Sequence, residues 1–571
     1  MRARNFCKDL RAISVILAGL VALASGISTG LAATQTQTVP SAGLDTALLL
    51  PRAQNPMPAD QLPTILSAND VRLYREIFQA QQDGEWSAVD RKVRALRDKR
   101  LVGHVLAQRY LHRNYRASYK ELASWLEHYA DLPEAIRIHR LAASRMPRGS
   151  KPPVKPQGGY LSGSGLEHGA VGDETDGPQR SRADQAIAAF TAGEDQKALA
   201  LAVEAAKKAG SDAPGAHWTA GLAAWRLGKF EDARQHFEAL ARSRSASAWS
   251  LAGGAYWASR ANLKLRRPHD YTVWLARAAE QPRTFYGLLA RRQLGIDLPL
   301  NWDLPALTKA DVHALMRHAG GQRAFALIQI GDHYLAEREL RRLYPQVEAE
   351  LGTAILSLAS QANMPALAMR LGGKLLRGQG LRYDAALYPV PDWRPEGGFS
   401  VDPALVYAIM RQESAFDQRA QSYRGASGLM QIMPRTAWAI ADDDEFDGTR
   451  ERLLEPALNL TLGQRLIRML LDSDQIQGNL IMMSAAYNAG QGNLGKWERR
   501  AQYRNDPLLF IESIPSRETR SFIERVLTNY WIYRHRMGLS SPSLDAIAEG
   551  GWPLYSDTDG YVTTVSENAT D

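Results

Sequence analysis

The stretch "AHWTAGLAAWRLGKFEDARQHFEALARS", residues 216–243, places apolar residues three and four apart on both sides of Leu227-Gly228-Lys229. That spacing puts one greasy stripe on each of two helices joined by a tight turn. The segment "LASWLEHYADLPEAIRIHRLAASR", residues 122–145, repeats the pattern. Gly228 is followed five residues later by Ala233 and four further on by Phe237. The same offsets recur at Gly193, Ala198, Ala202 and at Gly331, Ala336, Leu340. In each copy the glycine opens a turn, and the alanine lets neighbouring helices approach. The first two copies lie close to the period of tetratricopeptide-type hairpins, but the series is degenerate. It predicts an all-α chain built on an irregular α-superhelix, a solenoid or ring.

At 571 residues the chain is too long for one simple core, and two to four units are expected. Hydrophobic residues make up 45% and the mean hydropathy is negative, as in a soluble globular protein. A basic n-region, "MRARNFCKDLR", precedes the apolar run "AISVILAGLVALASGI" and small residues near Ala33. Residues 1–33 therefore read as a secretory signal peptide, with an uncleaved anchor as the alternative, because the run is close to the shortest that spans a bilayer. Cleavage would remove Cys7, the only cysteine, leaving no thiol, disulfide or cysteine-bound metal. The expectation is an exported, periplasmic protein with no stable membrane insertion after cleavage.

The formal charge is +8, and residues 397–540 hold as many basic as acidic residues, so the excess lies elsewhere. An export signal and the lack of a Lys/Arg tract with interleaved aromatics argue against nucleic acid and for an extracytoplasmic anionic polymer. Residues 64–300 are expected to form the superhelix, interrupted by a Pro-, Gly- and Ser-rich flexible insertion at 145–182. Residues 301–392 and 397–540 are expected to be two further helical units, separated by the break "LYPVPDWRPEGGFS"; that they are a linker domain and a catalytic domain is what the resemblance given below implies. Residues 541–571 read as a weakly ordered tail.

Within 397–540, "VDPALVYAIMRQES" starts a helix with Asp402 as N-cap and Pro403 at the first position. Leu405, Val406, Ile409, Met410 and Glu413 share one face. Glu413 thus sits on an apolar stripe near the negative end of the helix dipole, where both burial and the dipole disfavour its charge. Such a carboxyl suits a proton donor; the plain alternative is a frayed terminal residue paired with Arg411 or Arg419. Gly425 and Gly428 bracket a small-residue loop leading to Gln431 and Met433, a strip that suits the wall of a sugar-binding cleft, and a helix begins near Pro434. Farther on, Tyr487 and Asn488 close an apolar helix, and Glu518 and Arg520 open another after Pro515.

The blocks Glu413-Ser414, Gly428-Leu429-Met430-Gln431, Ala486-Tyr487-Asn488-Ala489-Gly490 and Glu518-Thr519-Arg520 together resemble the soluble lytic murein transglycosylases. The resemblance extends more loosely upstream through "TFYGLLARRQLG" and the helical body. It implies a superhelical ring, a linker domain and a goose-type lysozyme-like catalytic domain. It also implies cleavage of the β-1,4 bond between N-acetylmuramic acid and N-acetylglucosamine with closure of a 1,6-anhydro ring, in wall turnover. Residue by residue, Glu413 becomes the catalytic acid and later base. Ser422, Gln431, Met433, Tyr487, Asn488 and Glu518 become substrate-binding positions, and Arg520 shapes the cleft. Tyr487 and Ser422 would offer hydroxyls to the charged intermediate. Phe522 departs from the tyrosine that the family commonly carries there. Peptidoglycan strands are the implied partner, with envelope or wall-synthesis proteins as further partners of the superhelix.

Two rival readings follow from the same residues. A hydrolytic muramidase would need a second acid, Asp417 or one from the run Asp442 to Asp447, otherwise read as a solvated loop. A noncatalytic helical scaffold would make Glu413 dispensable. No cofactor is expected, and His104, His112, His128 and His139, lacking ligand spacing, read as surface or cleft histidines rather than metal ligands.

Overall fold

The computed structural model describes residues 62–166, 180–209, 212–441 and 446–556. The signal-peptide reading at 1–33 lies outside them. Twenty-five α-helices follow one another among the described residues, and extended pairing there is limited to isolated bridges.

Gly193, Gly228 and Gly331 all take φ between +74° and +87°, a left-handed turn that costs an L-residue with a Cβ. Each joins two helices: Arg180–Thr191 to Asp195–Ala209, Pro214–Arg226 to Phe230–Ala241, and Ala319–Ile330 to His333–Gln361. The alanines and apolar residues at the paired offsets, Ala198, Ala202, Ala233, Phe237, Ala336 and Leu340, are fully buried. Close approach has a second device at Gly221, where a Cβ would meet the Phe237 ring at 2.4 Å. Trp218, Trp225 and Phe237 pack around Trp257 with ring centroids 5.2–6.2 Å apart, most of them edge to face.

Two large cores result. One runs from Ala189 to Ile547, so the helices of residues 189–290 and those of residues 401–547 share buried surface. The other joins residues 66–105 to residues 307–386. The N-terminal helix Ala68–Gln82 is tied back across the chain: Gln329 Oε1 accepts from Ile65 and Leu66 N–H, and Arg75 Nε donates to Ile330 O.

Three expectations are corrected. The insertion expected to be flexible from 145 to 182 is anchored over residues 157–166. Leu161 and Arg341 exchange hydrogen bonds of 2.9 Å, and the Arg342 guanidinium donates to Gly158 O and Gly159 O at 3.2 Å. An arginine that satisfies several backbone carbonyls supplies the order that composition could not reveal. Helix resumes at Arg180, and residues 167–179 lie outside the described set. The tail expected to be weak from 541 onward contains the helix Pro542–Ala548 and a bridge between Asn479 and Leu554. Tyr555 accepts at its hydroxyl from Asp402 N–H, at 2.8 Å. Residues 557–571 lie outside the described set.

His104 is the third correction. It is 1% exposed rather than at the surface, with Nδ1 3.2 Å from Glu134 and Nε2 2.8 Å from Glu339. Burial alone would discharge it, but the two carboxylates more than offset that and raise its pKa to about 9. Arg338 pairs with Glu134 and Arg323 with Glu339, so the helices Val102–Tyr110, Ala135–Arg145 and His333–Gln361 meet at a compensated ionic cluster.

Candidate active site

The helix Pro403–Ser414 starts as expected, with Asp402 Oδ1 accepting from Ala404 N–H at 2.8 Å. The other Asp402 oxygen accepts from Arg534 and from the Tyr530 hydroxyl, which pins this helix start to the helix Arg517–Arg536. Leu405, Val406, Ile409 and Met410 are fully buried, and Glu413 continues their stripe, half-buried at the end. Ala415 and Phe416 then take φ of 50° and 64°, two consecutive left-handed residues that turn the chain sharply away behind the carboxyl.

Glu413 opens into a cavity of about 610 Å³ that it shares with Gln412, Asn488, Arg517, Glu518, Ser521 and Phe522. Its pKa rises to about 8, first through burial and then through the charge of Glu518. Neither arginine considered as its partner reaches it. Arg411 donates to Leu387 O and Asn529 Oδ1, and the Arg419 guanidinium lies 4.4 Å from the Tyr334 ring centre. A carboxyl in this setting holds its proton at neutral pH and releases it to an acceptor entering the cavity.

The helix Leu480–Ala489 brings two further residues to the place. Tyr487 donates its hydroxyl proton to Met430 O at 2.7 Å, and burial followed by the Glu413 charge holds its pKa well above the usual range. The proton of the Tyr487 hydroxyl is thereby committed to the loop that carries Met430. Asn488 lines the cavity and accepts at Oδ1 from the Thr519 hydroxyl at 2.7 Å. Phe522 stacks on Tyr487 with centroids 6.1 Å apart and ring planes 9° from parallel. A ring face thus occupies the wall where a phenol was the family expectation. Arg520 donates to Ile514 O and holds the turn before its own helix.

Ser422, Gln431 and Met433 lie on the loop of residues 420–433 and do not line this cavity. Ser422 Oγ accepts from Ala426 N–H at 2.9 Å, closing the loop's own turn. Gln431, at φ 48°, spends its amide protons on Ala420 O and Gly428 O. Met433 is exposed at the loop's end. Gly428 is required by its surroundings: at φ +79° its Cβ would lie 2.1 Å from Leu453 O. The fully buried Asn459 braces the same loop, accepting from Met430 N–H and donating to Ser427 O and Leu453 O.

Asn459, Gln412, Arg517 and Ser521 escaped the sequence reading. Asn459 had a faint signal as an amide between Leu458 and Leu460 on the apolar helix "PALNLTLGQRLIRMLL". Arg517 and Ser521 flank Glu518 four residues apart on one helix face. Asp417 does not join Glu413: it lines a separate cavity of about 500 Å³ with Arg75, Tyr334 and Arg419. Of the acidic run, residues 442–445 lie outside the described set, and Asp447 accepts from Thr449. Among the described residues no three His, Cys, Asp or Glu side chains gather as metal ligands.

The model of the transglycosylase SLT domain matches residues 394–510, so Glu518 and Phe522 lie just beyond the matched part. The soluble lytic murein transglycosylase of Salmonella typhimurium is 32% identical over 289 residues, which cover 50% of this chain and 44% of that relative. The namesake protein of Escherichia coli K12 is 38% identical over 160 residues, 28% of this chain and 24% of that one. The chain thus aligns with less than half the length of these relatives. In structure, the 70 kDa soluble lytic transglycosylase of Escherichia coli superposes with a TM-score of 0.52 at 18% identity, covering 86% of this chain and all of that one. The lytic transglycosylase Slt of Pseudomonas aeruginosa gives 0.51 at 20% identity, over 86% of this chain and 76% of that one. Likeness at that identity establishes the all-α fold. Residues 394–510 thus match the transglycosylase SLT domain, and over part of its length the chain is similar to the soluble lytic murein transglycosylases.

Proposed function

We propose that this protein is a peptidoglycan lytic transglycosylase acting in the periplasm on the bond between N-acetylmuramic acid and N-acetylglucosamine. The observation that carries the reading is Glu413: a carboxyl kept protonated near neutral pH, facing a cavity of about 610 Å³. In the first step Glu413 gives its proton to the glycosidic oxygen, the C1–O bond breaks, and the 2-acetamido group of the muramic residue stabilises C1. In the second step the Glu413 carboxylate takes the proton of the C6 hydroxyl as that oxygen bonds to C1, closing the 1,6-anhydro ring. Glu413 ends protonated, as it began, and no water is consumed. The intramolecular attack needs no second protein base.

Asn488 and Glu518 line the cavity and are assigned to sugar contact, with Arg517 and Ser521 beside them. Ser422, Gln431 and Met433 are assigned to the braced loop at the edge, where Met433 offers an exposed thioether to an extended glycan. Tyr487 is assigned to positioning, because its hydroxyl fixes the loop at Met430. A hydrolytic reading draws on Glu518, the second carboxyl in the same cavity. Digestion of purified sacculi followed by mass analysis of the muropeptides separates the two: anhydro ends are lighter by one water than reducing ends. Release of reducing ends alone would replace the transglycosylase reading by the muramidase one, and release of neither would leave the scaffold. Full release by Glu413→Gln would move the acid elsewhere.

A further inference from the structure

The cavity of about 500 Å³ that holds Asp417 has no part in the proposed reaction. It lies where distant stretches meet: the end of the helix Ala68–Gln82, the turn at Gly331, the turn at Asn363, and residues 416–419 just after the Glu413 helix. Ile330, Met364 and Phe416 are its buried apolar lining, and the half-buried rings of Phe78, Tyr334 and Trp393 border it as well. Every acid of the lining has a partner. Asp332 accepts from Leu335 N–H at 3.0 Å as a helix cap, and Glu337 pairs with Arg370 at 2.8 Å. Asp417 accepts from Arg419 N–H at 3.0 Å and faces Arg370 at 3.9 Å. The donors are less fully matched. The Arg419 guanidinium lies over the Tyr334 ring and has no hydrogen-bond acceptor among the described residues. Arg75 commits Nε and one Nη to Ile330 O and Gln329 O and has its other Nη left over. Asn363 accepts at Oδ1 from Asp392 N–H, while its own amide, the Gln418 amide and Trp393 Nε1 donate to no group among the described residues.

Partnered acids beside a surplus of donors, two of them guanidinium groups, call for a ligand that is rich in acceptors and negatively charged. The volume and the three rings call for a body larger than an inorganic anion and partly apolar. A short peptide ending in a carboxylate joins both properties. We propose that this cavity is a noncatalytic binding site for the carboxylate-bearing peptide of a wall fragment, with Arg419 and Arg75 supplying the guanidinium donors and Trp393 a wall for the peptide. The choice of a wall peptide rests on the peptidoglycan reading above, whereas the demand for an anionic peptide rests on the cavity alone. Both cavities border residues 412–419, so a strand held here by its peptide stays within reach of Glu413 between cleavages.

The test is isothermal titration calorimetry of the full chain with N-acetylmuramyl-L-alanyl-D-isoglutamine, which carries a sugar, a peptide and a free carboxylate but no glycosidic bond to cleave. Saturable binding is expected with a dissociation constant below about 1 mM. Arg419→Met keeps the bulk over Tyr334 but removes the fork, and should weaken that binding by about tenfold or more. Arg419 is exposed, so the thermal midpoint of the variant should match wild type; Arg75→Met is the parallel variant if the first does not fold. The uncharged sugar N,N'-diacetylchitobiose should bind wild type and Arg419→Met alike, and an equal loss for that sugar would overturn the assignment to an anion. No saturable binding of the muramyl peptide, or equal binding by wild type and both arginine variants, would overturn the proposal. Binding lost in Glu518→Gln yet kept in Arg419→Met would place the probe in the active-site cavity and overturn it as well. Inorganic phosphate that displaces the probe at equal concentration would replace the peptide by a simple anion. No arm involves cleavage, so a failure here leaves the transglycosylase reading standing, and an inactive enzyme leaves this site standing.

Discussion

Two desolvated acids in this chain, one buried and one half-buried, meet opposite fates. Glu134, in the superhelical half, is 4% exposed; burial pushes its pKa up, but His104 and Arg338 more than offset this and hold it at about 2. Glu413 also pays for its desolvation, and the charge of Glu518 adds to it, so it rises to about 8. The desolvation cost has the same sign in both places, and what the neighbouring helices present decides the outcome. A glutamate surrounded by histidine and arginine is a staple. A glutamate that faces a cavity and another acid is a proton store.

The largest break in this comparison is Glu413→Gln. Removing the proton donor should lower glycan cleavage by roughly a thousandfold, read as anhydro-muropeptide release, while the thermal midpoint stays level or rises because an uncompensated acid has gone. The opposite pattern belongs to His104→Ala. It leaves Glu134 and Glu339 short of their shared cation and should cost about 3–5 kcal/mol in denaturant unfolding, with cleavage per folded molecule unchanged. If His104→Ala instead abolished cleavage at full stability, the division between staple and proton store would be wrong.

The pH dependence sharpens the contrast. Glu413 acts in its acid form, so cleavage should fall about tenfold per pH unit above about 8. His104 has a folded pKa raised from 6.5 to about 9, so its stabilisation is complete below 6.5 and is lost as pH rises through about 9. Thermal scans across that window should show wild type losing stability that His104→Ala no longer has to lose. The smallest effect is expected from Glu518→Gln. It removes the lesser of the two causes that raise Glu413, and should move the alkaline limb of the rate profile downward, a loss of roughly threefold at pH 8. A limb that moved upward would mean that Glu518 does not act on Glu413 through its charge.

Local rules carried much of the fold. Asp402 and Pro403 announced a helix start, Gly193, Gly228 and Gly331 announced turns, and the stripe from Leu405 to Glu413 announced a buried face; each is a matter of neighbours within a few residues. The candidate site was legible where a residue departs from its local pattern, as Glu413 does on an apolar stripe. Ser422, Gln431 and Met433 were found as a loop, yet their positions relative to the cavity depend on Asn459 and Leu453, which lie 20 residues or more away in sequence. Gln431 shows the limit clearly: a polar side chain between two methionines is equally consistent with reaching outward to a ligand and with reaching inward to carbonyls.

What the sequence determined by itself was the helical class and the apolar stripe that carries Glu413, because periodicity and capping act over a few residues. Only the tertiary structure decided that His104 lies between Glu134 and Glu339, that Arg341 and Arg342 anchor the insertion, that Tyr555 caps the start of the Glu413 helix, and that Glu512 accepts from Tyr286. Those pairings join residues up to 235 positions apart. An ionisable side chain carries no local mark of the partner it will meet, since its charge state is set by burial and by opposite charges that arrive only when distant helices pack.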